Sequence, residues 1–138
     1  MNLSYLVTPF IAWLVAGSLK FLINSLKAKR LAFGLIGYGG LPSNHTAIVS
    51  SMAALIGFKE GVANPAFGVA LTLAFIVMLD ASSLRKQVGK QAVTINKIAH
   101  LTGVSGSLRE RMGHSMVEIF AGLVVGIAIA WFTKTVLS

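Results

Sequence analysis

Gly39-Gly40-Leu41-Pro42-Ser43-Asn44-His45-Thr46-Ala47 is followed at once by an uncharged apolar run, Ile48 to Phe58. The glycines favour a turn and Pro42 resists helix. Ser43 or Asn44 can accept from the orphan N–H groups of a helix that begins there. The first turn of such a helix offers free N–H donors and a partial positive charge, which suits an anion such as phosphate. His45 then sets a titratable ring beside that anion position. Taken by itself, the stretch reads equally well as a capped helix carrying an incidental histidine.

On both sides of this turn the chain is unusually apolar. Of its 138 residues, 55% are hydrophobic and 12% charged, where a soluble domain carries about 25% charged residues. Met1 to Leu19 holds no charged side chain, and about 20 apolar residues span a bilayer. No basic segment precedes that run, so it reads as a first membrane helix rather than a cleaved leader. It is expected to continue past Lys20 to about Ser25, with Pro9 inside it. Ser43 to Phe58 forms a second helix, about 24 Å long and short for a full crossing. Lys59 to Pro65 makes a tight connection, and Ala66 to Leu79 returns as a third helix ending at Asp80. Ile119 to Phe132 is the last, with Gly122 and Gly126 spaced for close helix packing within or between chains.

Two segments do not fit a simple crossing. Leu31 to Ile36 is apolar but short, and Gly34, Gly37, Gly39 and Gly40 loosen it, so a re-entrant or surface segment is expected. Asp80 to Gly113 is the one long polar stretch. Within it Arg85, Lys86, Lys90 and Lys97 alternate with Leu84, Val88, Ala92, Ile95 and Ala99 in the pattern of an amphipathic helix at a membrane surface. The expected fold is therefore all-α: a single integral membrane domain over 1–138, a polytopic helix bundle of about four transmembrane helices, with a short re-entrant or surface segment and an amphipathic surface helix.

That order of crossings has a consequence for chemistry. The first helix ends, the second starts, the third ends and the last starts on the same side of the membrane. Lys20, His45, Arg85, His114 and Glu118 thus converge on one face. Ten of the twelve lysines and arginines lie there, with Lys59 and Lys134 opposite. The positive-inside rule then places this face in the cytoplasm.

The second polar block is Ser107-Leu108-Arg109-Glu110-Arg111-Met112-Gly113-His114-Ser115-Met116-Val117-Glu118. His114 and Glu118 are four apart and would share a face of a helix. A carboxylate there can fix the imidazole tautomer and stabilise its protonated form. Two histidines, one backed by a carboxylate, together with arginines, are the parts needed for phosphoryl transfer through a phosphohistidine. Lys20 interrupts an apolar pattern, and an ionisable group at membrane depth points to function. Lys27 and Lys29 read as interfacial anchors. Asp80 can pair with Arg85 or cap the next segment, and Glu110 can offset Arg109 or Arg111. His100 stands in no motif.

Several classes drop out. There is no cysteine, and three histidines and four carboxylates spread along the chain make a zinc site unexpected. The net charge of +8 fits anionic headgroups or phosphate substrates. No aromatic residues interleave with a basic stripe, so a nucleic-acid surface is not expected.

Pro42-Ser43-Asn44-His45 resembles the Pro-Ser-x-His motif of the type 2 phosphatidic acid phosphatase and vanadium haloperoxidase superfamily. Ser107 and His114, with Glu118, resemble its Ser-Arg, His and Asp motif. The likeness is stronger to the small divergent bacterial branch. It runs from the Gly-Gly-x-Pro-Ser-x-His-Thr-Ala block through Asp80-Ala81, Arg85, Gln87, Gly89, Lys90, Gln91 and Ala92 to Gly113-His114-Ser115, Glu118, Ala121 and Gly122.

The resemblance implies a lipid phosphate phosphatase with no cofactor or metal, seated in a bacterial plasma membrane. His114 would be nucleophile, Glu118 its orienting carboxylate and His45 the general acid and base. Ser43, Asn44, Lys20, Arg85, Arg109 and Arg30 would bind phosphate, with Asp80 and Gln91 in support. The substrate would be a phospholipid or polyprenyl phosphate. Three departures stand out: Leu108 occupies the motif arginine's place, with Arg109 one residue late; Glu118 replaces Asp; and no Arg-Pro pair closes a first motif. They motivate an alternative, a catalytically inactive protein that binds or transports lipid phosphates. A second copy completing the pocket is a further option that the sequence leaves open.

Overall fold

The computed structural model describes residues 3–31, 33 and 40–137. Five α-helices follow in order: α1 (Ser4–Ala28), α2 (Asn44–Glu60), α3 (Pro65–Ser82), α4 (Leu84–Thr102) and α5 (Met116–Leu137), with no strand among the described residues. The re-entrant or surface segment expected over 31–36 lies, apart from Leu31 and Phe33, outside the described residues.

Each helix boundary has a local cause. Pro9 sits within the second turn of α1, past the first-turn positions whose N–H groups are unpaired anyway, so the Tyr5 carbonyl goes without its usual i+4 donor there. At the other end Lys29 turns left-handed. Its N–H reaches Leu26 O and that of Arg30 reaches Ser25 O, both at 3.3 Å, which closes the helix in a Schellman motif. Ser43, rather than Asn44, caps α2: its Oγ accepts from the Thr46 N–H at 3.4 Å and from the Thr46 hydroxyl at 3.0 Å. Asn64 caps α3 through the Ala66 N–H at 2.9 Å, with Pro65 as the first helical residue. Gly103, left-handed at φ 72°, ends α4.

The molecule is a polytopic membrane helix bundle. α1, the run that opens with α3, and α5 are long and apolar enough to cross a bilayer. Their bulky side chains point outward, as with Phe10, Trp13, Phe75 and Phe120, which suits a lipid solvent. α2 has 17 residues, about 26 Å of helix, and packs against all three. Its start lies against Gly17 of α1, and its end returns to the start of α1, where Lys59 Nζ donates to Ser4 Oγ at 3.0 Å. α2 therefore runs antiparallel to α1 through the same depth.

The interior is built from small residues, because helices that share no hydrophobic drive in lipid gain most from close backbone approach. Ala12, Ala16, Ala47 and Ala130 are fully buried, as are Thr8, Thr46, Ser51 and Thr133. The Gly122 and Gly126 pair serves this packing within the chain, between α5 and α2. A Cβ on Gly122 would fall 2.5 Å from Ser43 O, and one on Gly126 would fall 2.6 Å from Ala47 O. Gly126→Ala is therefore expected to lower the unfolding midpoint in detergent by the equivalent of about 1–3 kcal/mol. Gly68→Ala, where nothing lies within 4 Å of the new Cβ, should be neutral or stabilising. Equal midpoints for the two variants would remove close packing as the reason for Gly126.

The end of the bundle away from the histidines is fastened by polar contacts. The Thr8 and Thr133 hydroxyls meet at 2.9 Å, the Tyr5 hydroxyl donates to Glu60 at 2.5 Å, and Lys59 also lies over the Tyr5 ring. α4 is the amphipathic helix that the polar segment foretold. Among the helices it packs on α3; Gly89 and Ala92 are buried, while Leu84, Val88, Ile95 and Ile98 are exposed.

Candidate active site

Glu118 organises the start of α5. Its Oε2 accepts from the Ser115 N–H at 3.0 Å, while Ser115 Oγ accepts from the Glu118 N–H at 3.2 Å. This is a reciprocal capping box. The same Oε2 lies 3.0 Å from His114 Nδ1. His114 thus precedes the helix, whose first residue is Met116. The pair meets across the helix start, which corrects the expectation of a shared helical face. An ionised carboxylate only accepts, so the Nδ1 proton belongs on the imidazole and Nε2 carries the free lone pair.

The backbone holds this ring from the other side. The His114 N–H donates to Ala81 O at the end of α3, 2.9 Å away. Gly113, at φ 85°, has no room for a side chain: a Cβ would fall 2.9 Å from Lys86 Cγ and 3.1 Å from Ala81 O. His114 is only 7% exposed. Burial pushes its imidazole below the ordinary histidine value; the hydrogen bond it donates to Glu118 opposes that shift, and the charges of Lys20 and Arg85 add to it.

The turn into α2 joins the same place. Pro42 follows a cis peptide bond, and the Ser43 N–H donates to Glu118 O at 2.9 Å. The N-terminus of α2 is thereby tied to the first turn of α5. Ser43 is fully buried and its Oγ is engaged as the cap, so its side chain has a structural task in addition to the phosphate contact expected of it. The N–H groups of Asn44 and His45 open the helix and meet no acceptor among the described residues, the ordinary condition of a first turn. The Asn44 Oδ1 atom is buried without a hydrogen-bond partner. His45 is exposed and lies within reach of the charges on Arg85, His114, Lys20 and Asp80.

Lys20, on α1, is partly buried and feels the charges of Glu118 and Arg109. Arg85 Nε and Asp80 Oδ2 form an ion pair at 2.8 Å, as Asp80 was expected to do. Lys20, His45, Asp80, Arg85, Arg109, His114 and Glu118 therefore form one electrostatic cluster at one end of the bundle. Arg30 and Gln91 are exposed, and no described contact brings them to it. Gln91 lies six residues beyond Arg85, about 240° around the helix, so the two occupy different sides of α4. Glu110, expected to offset Arg109 or Arg111, accepts at Oε1 from Asn96 Nδ2 at 2.8 Å. The capping box and the role of Asn96 escaped the sequence reading. The first had a signal, Ser-x-x-Glu at 115–118; the second had none.

The arrangement sets a buried imidazole with a free Nε2 within electrostatic reach of a second imidazole and of the cations Lys20 and Arg85, at the end of the bundle where the first N–H groups of α2 open. Comparison with known proteins identifies the family. The model of the divergent PAP2 family matches residues 1–129. The chain belongs to the divergent PAP2 family. It is also 28% identical over 141 residues to YuiD of Bacillus subtilis (strain 168), a protein described as an uncharacterized membrane protein, covering 90% of this chain and 89% of that one. No solved structure matches the chain. With its apolar helices and this membrane-protein relative, the chain is an integral membrane protein of PAP2-like kind.

Proposed function

We propose that this member of the divergent PAP2 family is a membrane-embedded lipid phosphate phosphatase. The observation that carries the reading is the Glu118–His114 pair at 3.0 Å, set in one cluster with His45, Lys20 and Arg85. His114 Nε2 attacks phosphorus and the bond to the lipid oxygen breaks. His45 delivers its proton to the departing alkoxide. Glu118 offsets the positive charge that the imidazole gains on becoming phosphohistidine. Water then attacks the same phosphorus and gives its proton to His45. The P–N bond breaks, and phosphate leaves with His114 restored.

Most of the acceleration in phosphoryl transfer comes from positioning and charge stabilisation. The Asn44 and His45 N–H groups and the cations Lys20, Arg85 and Arg109 supply it, with Ser43 fixing the turn and Asp80 holding Arg85. Arg30 and Gln91, which no described contact joins to the cluster, are given no step in this scheme. The headgroup enters at the membrane surface, while the tail stays among the outward-facing apolar side chains. We place the site in the cytoplasmic leaflet of a bacterial plasma membrane, a reading supported by the ten cations on its side.

Phosphate release from phosphatidic acid, phosphatidylglycerophosphate and polyprenyl phosphates, measured with the purified chain in detergent and chelator present, tests the reading. Release from one class above the others is the expected result. A folded protein that binds these lipids and releases nothing is instead the binding or transport protein that Leu108 and the displaced Arg109 suggest.

A further inference from the structure

Between Gly103 and His114 the chain has no helix, yet it does not wander. It is laid along α4 by a small set of contacts centred on Asn96. The Leu108 N–H donates to Asn96 Oδ1 at 2.7 Å, and Asn96 Nδ2 donates to Leu108 O at 2.8 Å and to Glu110 Oε1 at 2.8 Å. The amide thus spends its acceptor and both its donors on one segment. Two turns earlier on the same face, the segment lies directly on the helix backbone: a Cβ on Gly89 would fall 2.5 Å from Glu110 O and 3.3 Å from Met112 Cβ.

What these contacts hold is the residue between them. Arg109 lies one position after the clamped Leu108, its Nε donates to Arg111 O at 3.3 Å, and its charge reaches Lys20 on α1. The segment is exposed from Leu101 to Arg111. Nothing in its composition would hold a long arginine within electrostatic reach of Lys20 without such a restraint. We infer that Asn96 is a positioning residue: by gripping both backbone groups of Leu108 it presents Arg109 to the phosphoryl group, so that an arginine displaced by one residue still serves the site. This rests on the phosphatase reading for the identity of the ligand.

The test is a double-substitution cycle on the full chain in detergent, with inorganic phosphate as the probe and calorimetric binding as the readout. Asn96→Asp has the same shape and still accepts from the Leu108 N–H, but it turns an oxygen toward Leu108 O and Glu110. It is expected to weaken phosphate binding about tenfold in the native background and less than about twofold once Arg109→Ala is present. Amide hydrogen exchange at Leu108 should quicken in the variant while the helices stay protected, and Asn96→Ala should behave alike.

Equal loss in both backgrounds would mean that Asn96 merely supports the fold, and no loss in either would mean that it positions nothing. Both overturn the inference, and lipid phosphate release by the native chain would show that the phosphatase reading survives. Coupling seen in a chain that hydrolyses no lipid keeps the clamp and removes the phosphatase. A native chain that binds no phosphate overturns both.

Discussion

His114→Ala is expected to lower kcat for lipid phosphate release by about 10⁴-fold or more, while leaving affinity for the lipid phosphate within a few-fold of native. The nucleophile acts only in the chemical step, so its loss removes transition-state stabilisation without removing the groups that hold the ground state. Those groups sit elsewhere: Lys20 on α1, Arg85 on α4 and the opening N–H groups of α2. No neighbouring side chain can replace Nε2, because His45 belongs to another helix and is needed as the acid. The measurement is single-turnover release alongside equilibrium binding. A burst of acid-labile phosphoprotein should accompany turnover in the native chain and vanish in the variant. The backbone contact from His114 to Ala81 survives the substitution, so the unfolding midpoint serves as the control. Release that persists in a folded variant would assign the nucleophile elsewhere. Joint loss of binding and release would make His114 a structural residue.

The convergence of these groups is legible in the sequence. Alternating apolar runs and polar ends placed Lys20, His45, Arg85, His114 and Glu118 on one side, since an even number of crossings returns the chain to the face it left. The cap at Ser43 was legible because capping is local, one side chain meeting an N–H three residues on. The His114–Glu118 pair was legible as a pair but not in its geometry. A four-residue spacing invites a helical face, whereas Ser115 and Glu118 start the helix between them. That reading needed the Ser-x-x-Glu signature to outweigh the spacing. Contacts that depend on the path of a loop, such as Asn96 on Leu108, left no trace in local pattern. Neither did the meeting of Thr8 with Thr133, which are 125 residues apart. The inward orientation of Gly122 and Gly126 follows from α2 being flanked by small side chains along its length, a property of the pair of helices and not of either alone.

Glu118→Gln separates the two tasks of that carboxylate and moves the pH profile in a defined direction. The reactive form of His114 is neutral, so kcat/KM should fall on the acid side as pH drops through the histidine's pKa. Burial, with the charges of Lys20 and Arg85, holds that pKa below the ordinary 6.5, and the hydrogen bond and charge of Glu118 pull it upward. The native acid limb is therefore expected below pH 6.5. Removing the carboxylate charge takes away an upward pull, so the limb should shift further toward low pH. The plateau should fall by about 10²–10⁴-fold, because nothing then offsets the charge on the phosphorylated imidazole. Glutamine still serves a capping box, so the midpoint of unfolding should change little. Glu118→Ala loses the acceptor for the Ser115 N–H as well and should cost about 1 kcal/mol of stability. A limb that moves to higher pH, or an unchanged plateau in Glu118→Gln, would leave Glu118 as a helix cap alone and His114 without its partner in the chemistry.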